Sequence, residues 1–148
     1  MLLETMASTM YELLHLCIAP GSADELVYLA MLAFGASVSL HWRHLRMPLQ
    51  WLQSRYWQAL QTMKGRASIT STPSEWLWYL SMYTVAFPSL TSADGEMLQA
   101  WVADAATAYG PDLWISYKSI MKKFLWIDIV CDSAAKESLT RACEVPPG

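Results

Sequence analysis

The sequence predicts an all-α fold, a single-domain bundle of about six helices, and three observations carry that prediction. Apolar residues recur at three- and four-residue spacing through most of the chain, which is the rhythm of one helix face. Helix starts and stops are written at intervals as Pro-Gly, Ser-x-x-Glu, Thr-Pro-Ser-Glu and Gly-Pro. No stretch alternates apolar and polar residues with the period of a half-buried strand.

Each element follows from these signals. A first helix is predicted from about Leu3 to Cys17, stopped by Pro20 and Gly21. Ser22 and Glu25 then form a capping box that opens a second helix to about His41. Pro48 suits the first turn of a third, with Leu49, Leu52, Tyr56, Leu60 and Met63 on one stripe and Gly65 at its end. Thr72, Pro73 and Glu75 repeat the capping device before the apolar run WLWYLSMYTVAF, which Pro88 closes. A fifth helix carries Met97, Leu98, Trp101, Val102 and Ala105 to Tyr109, and Gly110 and Pro111 separate it from a sixth. From Ser133 onward the apolar pattern decays, so the helical domain is expected to span 1–132 and a C-terminal tail 133–148.

The sixth helix, WISYKSIMKKFLWIDIVCD from Trp114 to Asp132, is the segment around which the chain is expected to be organised. Leu113, Tyr117, Ile120, Met121, Phe124, Ile127 and Cys131 fall on one face, with Lys118, Lys122 and Lys123 largely off it. Asp128 projects inside the apolar arc beside Phe124, Leu125 and Cys131, and Asp132 lies at its edge. A buried carboxylate requires hydrogen bonds, a cation or a proton. Arg43, Arg46, Arg55, His41 and His44 are the candidate partners for Asp128.

The chain has 148 residues, enough for one domain with a real core. It is 54% hydrophobic and only 16% charged, an apolar excess that points to a generous core or to a surface meant for a ligand or partner. Between Glu25 and Glu75 there is no acidic residue, while Arg43, Arg46, Arg55, Lys64 and Arg66 all fall there. Pairing of these charges with the acidic flanks is the simpler reading. A phosphate-binding stripe with Trp42, Trp51, Tyr56 and Trp57 is the sharper one, disfavoured by the net charge of −3. Cys17, Cys131 and Cys143 are too scattered for a disulfide framework or a zinc site, and Cys17 and Cys131 read as buried reduced thiols of an intracellular protein. Two charge-free runs, Leu26–Trp42 and Leu77–Ala93, approach the length of a membrane span but are broken by glycine, serine and proline, so buried helices are expected instead.

The phrase made by Phe124, Leu125, Trp126, Asp128, Cys131 and Asp132 resembles the end of the fungal-specific transcription factor regulatory region, where a helix leads into FLWxDxxCD. The preceding layout is similar too: a tryptophan-rich helix closed by proline, a polar break, and an aromatic-bearing helix. The resemblance covers the second half of the chain and extends weakly into the first. It implies a helical regulatory module that acts through a protein partner or a small apolar effector, in the nucleus or cytoplasm, with Phe124, Trp126, Asp128 and Asp132 as architectural residues. The family's six-cysteine zinc cluster, basic linker and dimerising heptads have no counterpart here, so direct sequence-specific DNA binding is not expected; a homodimer is compatible with the reading.

The alternative is a small enzyme of secondary metabolism, a cyclase or isomerase with an aromatic-lined pocket on the same scaffold. Its catalytic candidates are Asp128, Asp132 and His41. Aspartates four apart share a helix face and could hold Mg²⁺ against a diphosphate, as in helical terpene-handling enzymes, but no second metal motif accompanies them. His41 and His44 lack a third ligand. Neither a metal nor a cofactor is therefore expected. Trp76, Trp101 and Trp126 are the candidate ligand-binding aromatics.

Overall fold

Seven helices lie among the described residues, and no strand does. The computed structural model describes residues 2–19, 21–43, 50–66, 72–87, 93–107, 113–124 and 126–144. The helices are α1 (Leu2–Leu14), α2 (Ala23–Arg43), α3 (Gln50–Gly65), α4 (Pro73–Ala86), α5 (Ala93–Ala106), α6 (Leu113–Met121) and α7 (Asp128–Glu144). Contacts divide the chain into two compact units, Met1–Thr70 and Ser71–Gly148.

In the first unit α2 packs against both α1 and α3. Its buried face is Leu26, Leu29, Ala30, Leu32, Ala33 and Val38, and the Met10 side chain of α1 lies over Gly35, where a Cβ would force the methionine to shift. The predicted stripe of α3 is buried at Leu52, Tyr56, Leu60 and Met63; Leu49 and Pro48 lie outside the described residues. Two expectations are corrected here. Helix α1 ends at Leu14 rather than Cys17, tightening through Leu13 O to Leu16 N at 3.1 Å, which leaves Cys17 exposed. The capping box at Ser22 does not form as predicted, because Glu25 reaches one residue further back to the Gly21 N–H.

Helix α4 is the centre of the second unit, in contact with α5, α6 and α7. Its eight consecutive residues Trp76 to Tyr83 are all buried, which an apolar run on every face of a helix requires. The Thr72 capping box forms in both directions, each bond 3.3 Å, with Pro73 opening the helix. The central role expected for Trp114–Asp132 therefore belongs to α4.

The predicted sixth helix is two helices. Lys123 N to Ile120 O and Phe124 N to Met121 O, both 3.0 Å, close α6 with tight turns, and α7 begins at Asp128. Neither proline nor glycine causes this break. On a continuous helix Phe124 and Trp126 would point about 200° apart, whereas the corner lets both pack: Phe124 stacks on Trp78 at 5.4 Å, and Trp126 meets the Tyr117 ring edge-on at 5.8 Å. The expected tail is likewise overturned, since α7 runs to Glu144. Its buried stripe is Cys131, Ala135, Ser138, Leu139 and Ala142, mostly small residues that let α7 settle against α4 and α5.

Among the described residues no helix is long and apolar enough to cross a membrane.

Candidate functional site

The corner between α6 and α7 gathers most of the residues singled out from the sequence. Trp114 and Lys118 on α6 and Lys122 in the turn that follows it face Lys136, Asp132 and Asp128 on α7, running in opposite directions. Lys136 Nζ sits 5.9 Å from the centroid of the Trp114 ring. Lys118 Nζ donates to Asp132 Oδ2 at 2.8 Å and reaches Asp128 Oδ2 at 3.2 Å. Lys122 Nζ is 3.5 Å from the same Asp128 oxygen. The second oxygen of Asp132 accepts the indole N–H of Trp126 at 2.9 Å.

This corrects the expected setting of Asp128. Its carboxylate is not inside an apolar arc; its side chain is 48% exposed, at the first residue of α7, where negative charge favours the helix dipole. Its partners are Lys118 and Lys122, not the arginines or histidines of the first half. Arg55 is instead held by Glu25 at 3.2 Å, the side chain of His41 and that of Arg43 are not described, and His44 and Arg46 lie outside the described residues. The missed signal was Lys118 itself. On one long helix it falls largely off the apolar face, and only a chain reversal after Met121 brings it back over Asp132.

The electrostatics follow from this geometry. Partial burial pushes the Asp132 carboxyl up, but the hydrogen bonds from Lys118 and Trp126 and the charges of Lys118 and Lys122 outweigh it and hold the group below the usual carboxylate range. The hydrogen bonds to Asp132 and Asp128 raise the Lys118 ammonium. Burial pushes the Cys131 thiol up, so this thiol stays protonated and inert near neutrality.

Beneath the ladder lies a polar relay in the core. Tyr117, 2% exposed, donates its hydroxyl to Ser81 Oγ at 2.5 Å, and Ser81 donates in turn to the Leu77 carbonyl at 2.6 Å. Burial raises the Tyr117 phenol far above its ordinary value, more than the Ser81 bond lowers it.

The candidate ligand-binding tryptophans keep different company. Trp76 and Trp101 meet each other at 6.0 Å with their planes 50° apart, whereas Trp126 packs on Tyr117 and serves Asp132. Among the described residues no group of three or more His, Cys, Asp or Glu side chains could hold a metal ion, and a cation at Asp128 and Asp132 would have to displace Lys118. The chemistry available at the corner is therefore charge pairing and aromatic packing.

Comparison of the chain with family models, with curated proteins and with solved structures gives no match.

Proposed function

We propose that the chain is a regulatory or interaction module of the kind its FLWIDIVCD phrase resembles, acting through a protein partner or a small apolar effector. The observation that supports this reading best is the use of the phrase's polar groups for architecture: both aspartates are occupied by Lys118, Lys122 and Trp126. A general acid or base must reach its substrate in a fitting protonation state, and a carboxylate shared among lysines is poorly suited to that task. The enzymatic alternative draws less support for the same reason. Several large apolar side chains stand in water, among them Tyr11, Leu14, Leu16 and Trp51 in the first unit and Ile115 in the second, and these are available for contact with a partner.

Under this reading the module works in the nucleus or cytoplasm without reading DNA sequence itself. Fused to a heterologous DNA-binding domain in a fungal reporter strain, the chain should raise or lower transcription, and Ile115→Asp together with Tyr11→Asp should weaken the effect without unfolding the protein. Reporter output equal to that of the DNA-binding domain alone would sink the proposal.

A further inference from the structure

Helix α6 is the shortest helix among the described residues, nine residues long, too short to be stable alone. Among its described side chains only Tyr117 and Met121 are buried, against eight consecutive residues of α4. Its ion pairs to α7 are made by partly exposed groups, with Lys118 29% and Asp132 26% exposed, and its other tie is the Trp114 ring under Lys136, all where water and salt compete.

The polar side chains that α6 touches on its neighbours keep other partners, and Asp128, itself half-exposed, keeps Lys122 beyond the end of α6. Ser81 Oγ donates to Leu77 O within α4, and Asp132 accepts from Trp126 in the turn before α7. If α6 moves away, neither is left as a buried orphan, and Tyr117 and Lys118 pass to water. The usual penalty that locks a polar contact into a core is thereby reduced on both sides. What α6 would leave behind is a specific shape: one hydroxyl oxygen able to accept a hydrogen bond, and the Trp126 ring 5.8 Å from the Tyr117 ring centre.

We propose that α6 is a latch over a phenol-binding seat: when Tyr117 swings out, a small phenolic molecule takes its place, with its ring against Trp126 and its hydroxyl donating to Ser81. The proposal rests on the reading of the chain as an effector-responsive module and names the chemistry of the effector. A ligand that binds the open form pulls the equilibrium toward it in proportion to its concentration over its dissociation constant. The ion ladder sets how often the latch opens, and Tyr117 is the internal competitor for the seat.

The test is amide hydrogen exchange on the full chain with p-cresol, the tyrosine side chain in free form, and with toluene as the control lacking the hydroxyl. Near saturation, p-cresol should speed exchange in residues 113–121 by about tenfold, while α4 and α7 keep their protection and toluene does much less. Asp132→Asn, which retains an acceptor for Trp126 but loses the charge that holds Lys118, should speed α6 exchange by about tenfold without ligand. Ser81→Ala should abolish the advantage of p-cresol over toluene. Exchange of α6 only in step with α4 and α7, or equal responses to p-cresol and toluene in the unmodified chain, would overturn the latch. These readouts need no partner and no reporter, so a latch that opens as described in a chain without regulatory output would refute the functional reading alone.

Discussion

The two units each hold acidic side chains against cations, and they do it at opposite depths. In the first, Glu25 is 7% exposed and is clamped by the Gly21 N–H at 2.6 Å and Arg55 Nε at 3.2 Å, while Arg66 ties the same turn through the Gly21 carbonyl at 3.0 Å. In the second, Asp128 and Asp132 lie at the rim under lysines that are themselves partly in water. A buried carboxylate must be paired, so the geometry around Glu25 is obligatory for the fold. Rim ions contribute little each and are screened by salt, so the ladder sets the alignment of α6 with α7 while aromatic burial supplies the stability.

The sharpest break of that contrast is Tyr117→Ala. If burial and not charge holds the second unit, this variant should lose about 3 to 5 kcal/mol, read from denaturant midpoints, more than any single change in the ladder. Next comes Glu25→Ala, which strands Arg55 and the Gly21 N–H and should cost about 2 to 3 kcal/mol; Glu25→Gln should recover part of that through the retained acceptor. Trp126→Ala should cost about 2 kcal/mol, less than the loss for a fully buried aromatic, because the ring is only half-buried and its loss leaves Asp132 to Lys118. Smallest is Asp128→Leu, expected within about 1 kcal/mol of the parent. A larger loss for Asp128→Leu than for Glu25→Ala would reverse the comparison.

The pH dependence separates the rim from neutral-range effects. Asp132 is lowered in the folded state, so its contribution is complete above about pH 4 and is lost as pH falls through the folded value. Lys118 and Tyr117 are raised, so their contributions are complete below about pH 10 and are lost as pH rises beyond it. The stability difference between the parent and Asp132→Asn should therefore be flat from about pH 5 to 9 and shrink at the acid end. A slope inside that window would place Asp132 in a different environment.

Much of the fold was legible because its signals are local. The Thr72–Glu75 box, the α3 stripe from Leu52 to Met63 and the all-round apolar run of α4 are each stated within one helix's length of sequence. Two features were not. The break after Met121 is decided by where Trp78 and Tyr117 wait for Phe124 and Trp126, which a one-dimensional rhythm does not contain. The stripe of α7 is written mostly in Cys, Ala and Ser, with Leu139 its one large apolar residue among Lys136, Glu137 and Arg141, so the apolar rhythm is faint and the segment reads as a tail. Both misreadings share a consequence: Asp128 was placed in mid-helix and buried, when it opens a helix at the rim. The pairing of Asp132 with Lys118 and Trp126 could be seen only once the corner was known.

The aspartates of the corner are ion-paired structural groups, and carboxyl carbon NMR across an acid titration measures that directly. Asp132 should titrate below the ordinary value of about 4, and millimolar Mg²⁺ should leave its resonance and that of Asp128 unmoved. A midpoint above that value, or a saturable shift of both resonances with Mg²⁺, would mean that the pair is free to bind a cation or carry a proton, and would contradict the account.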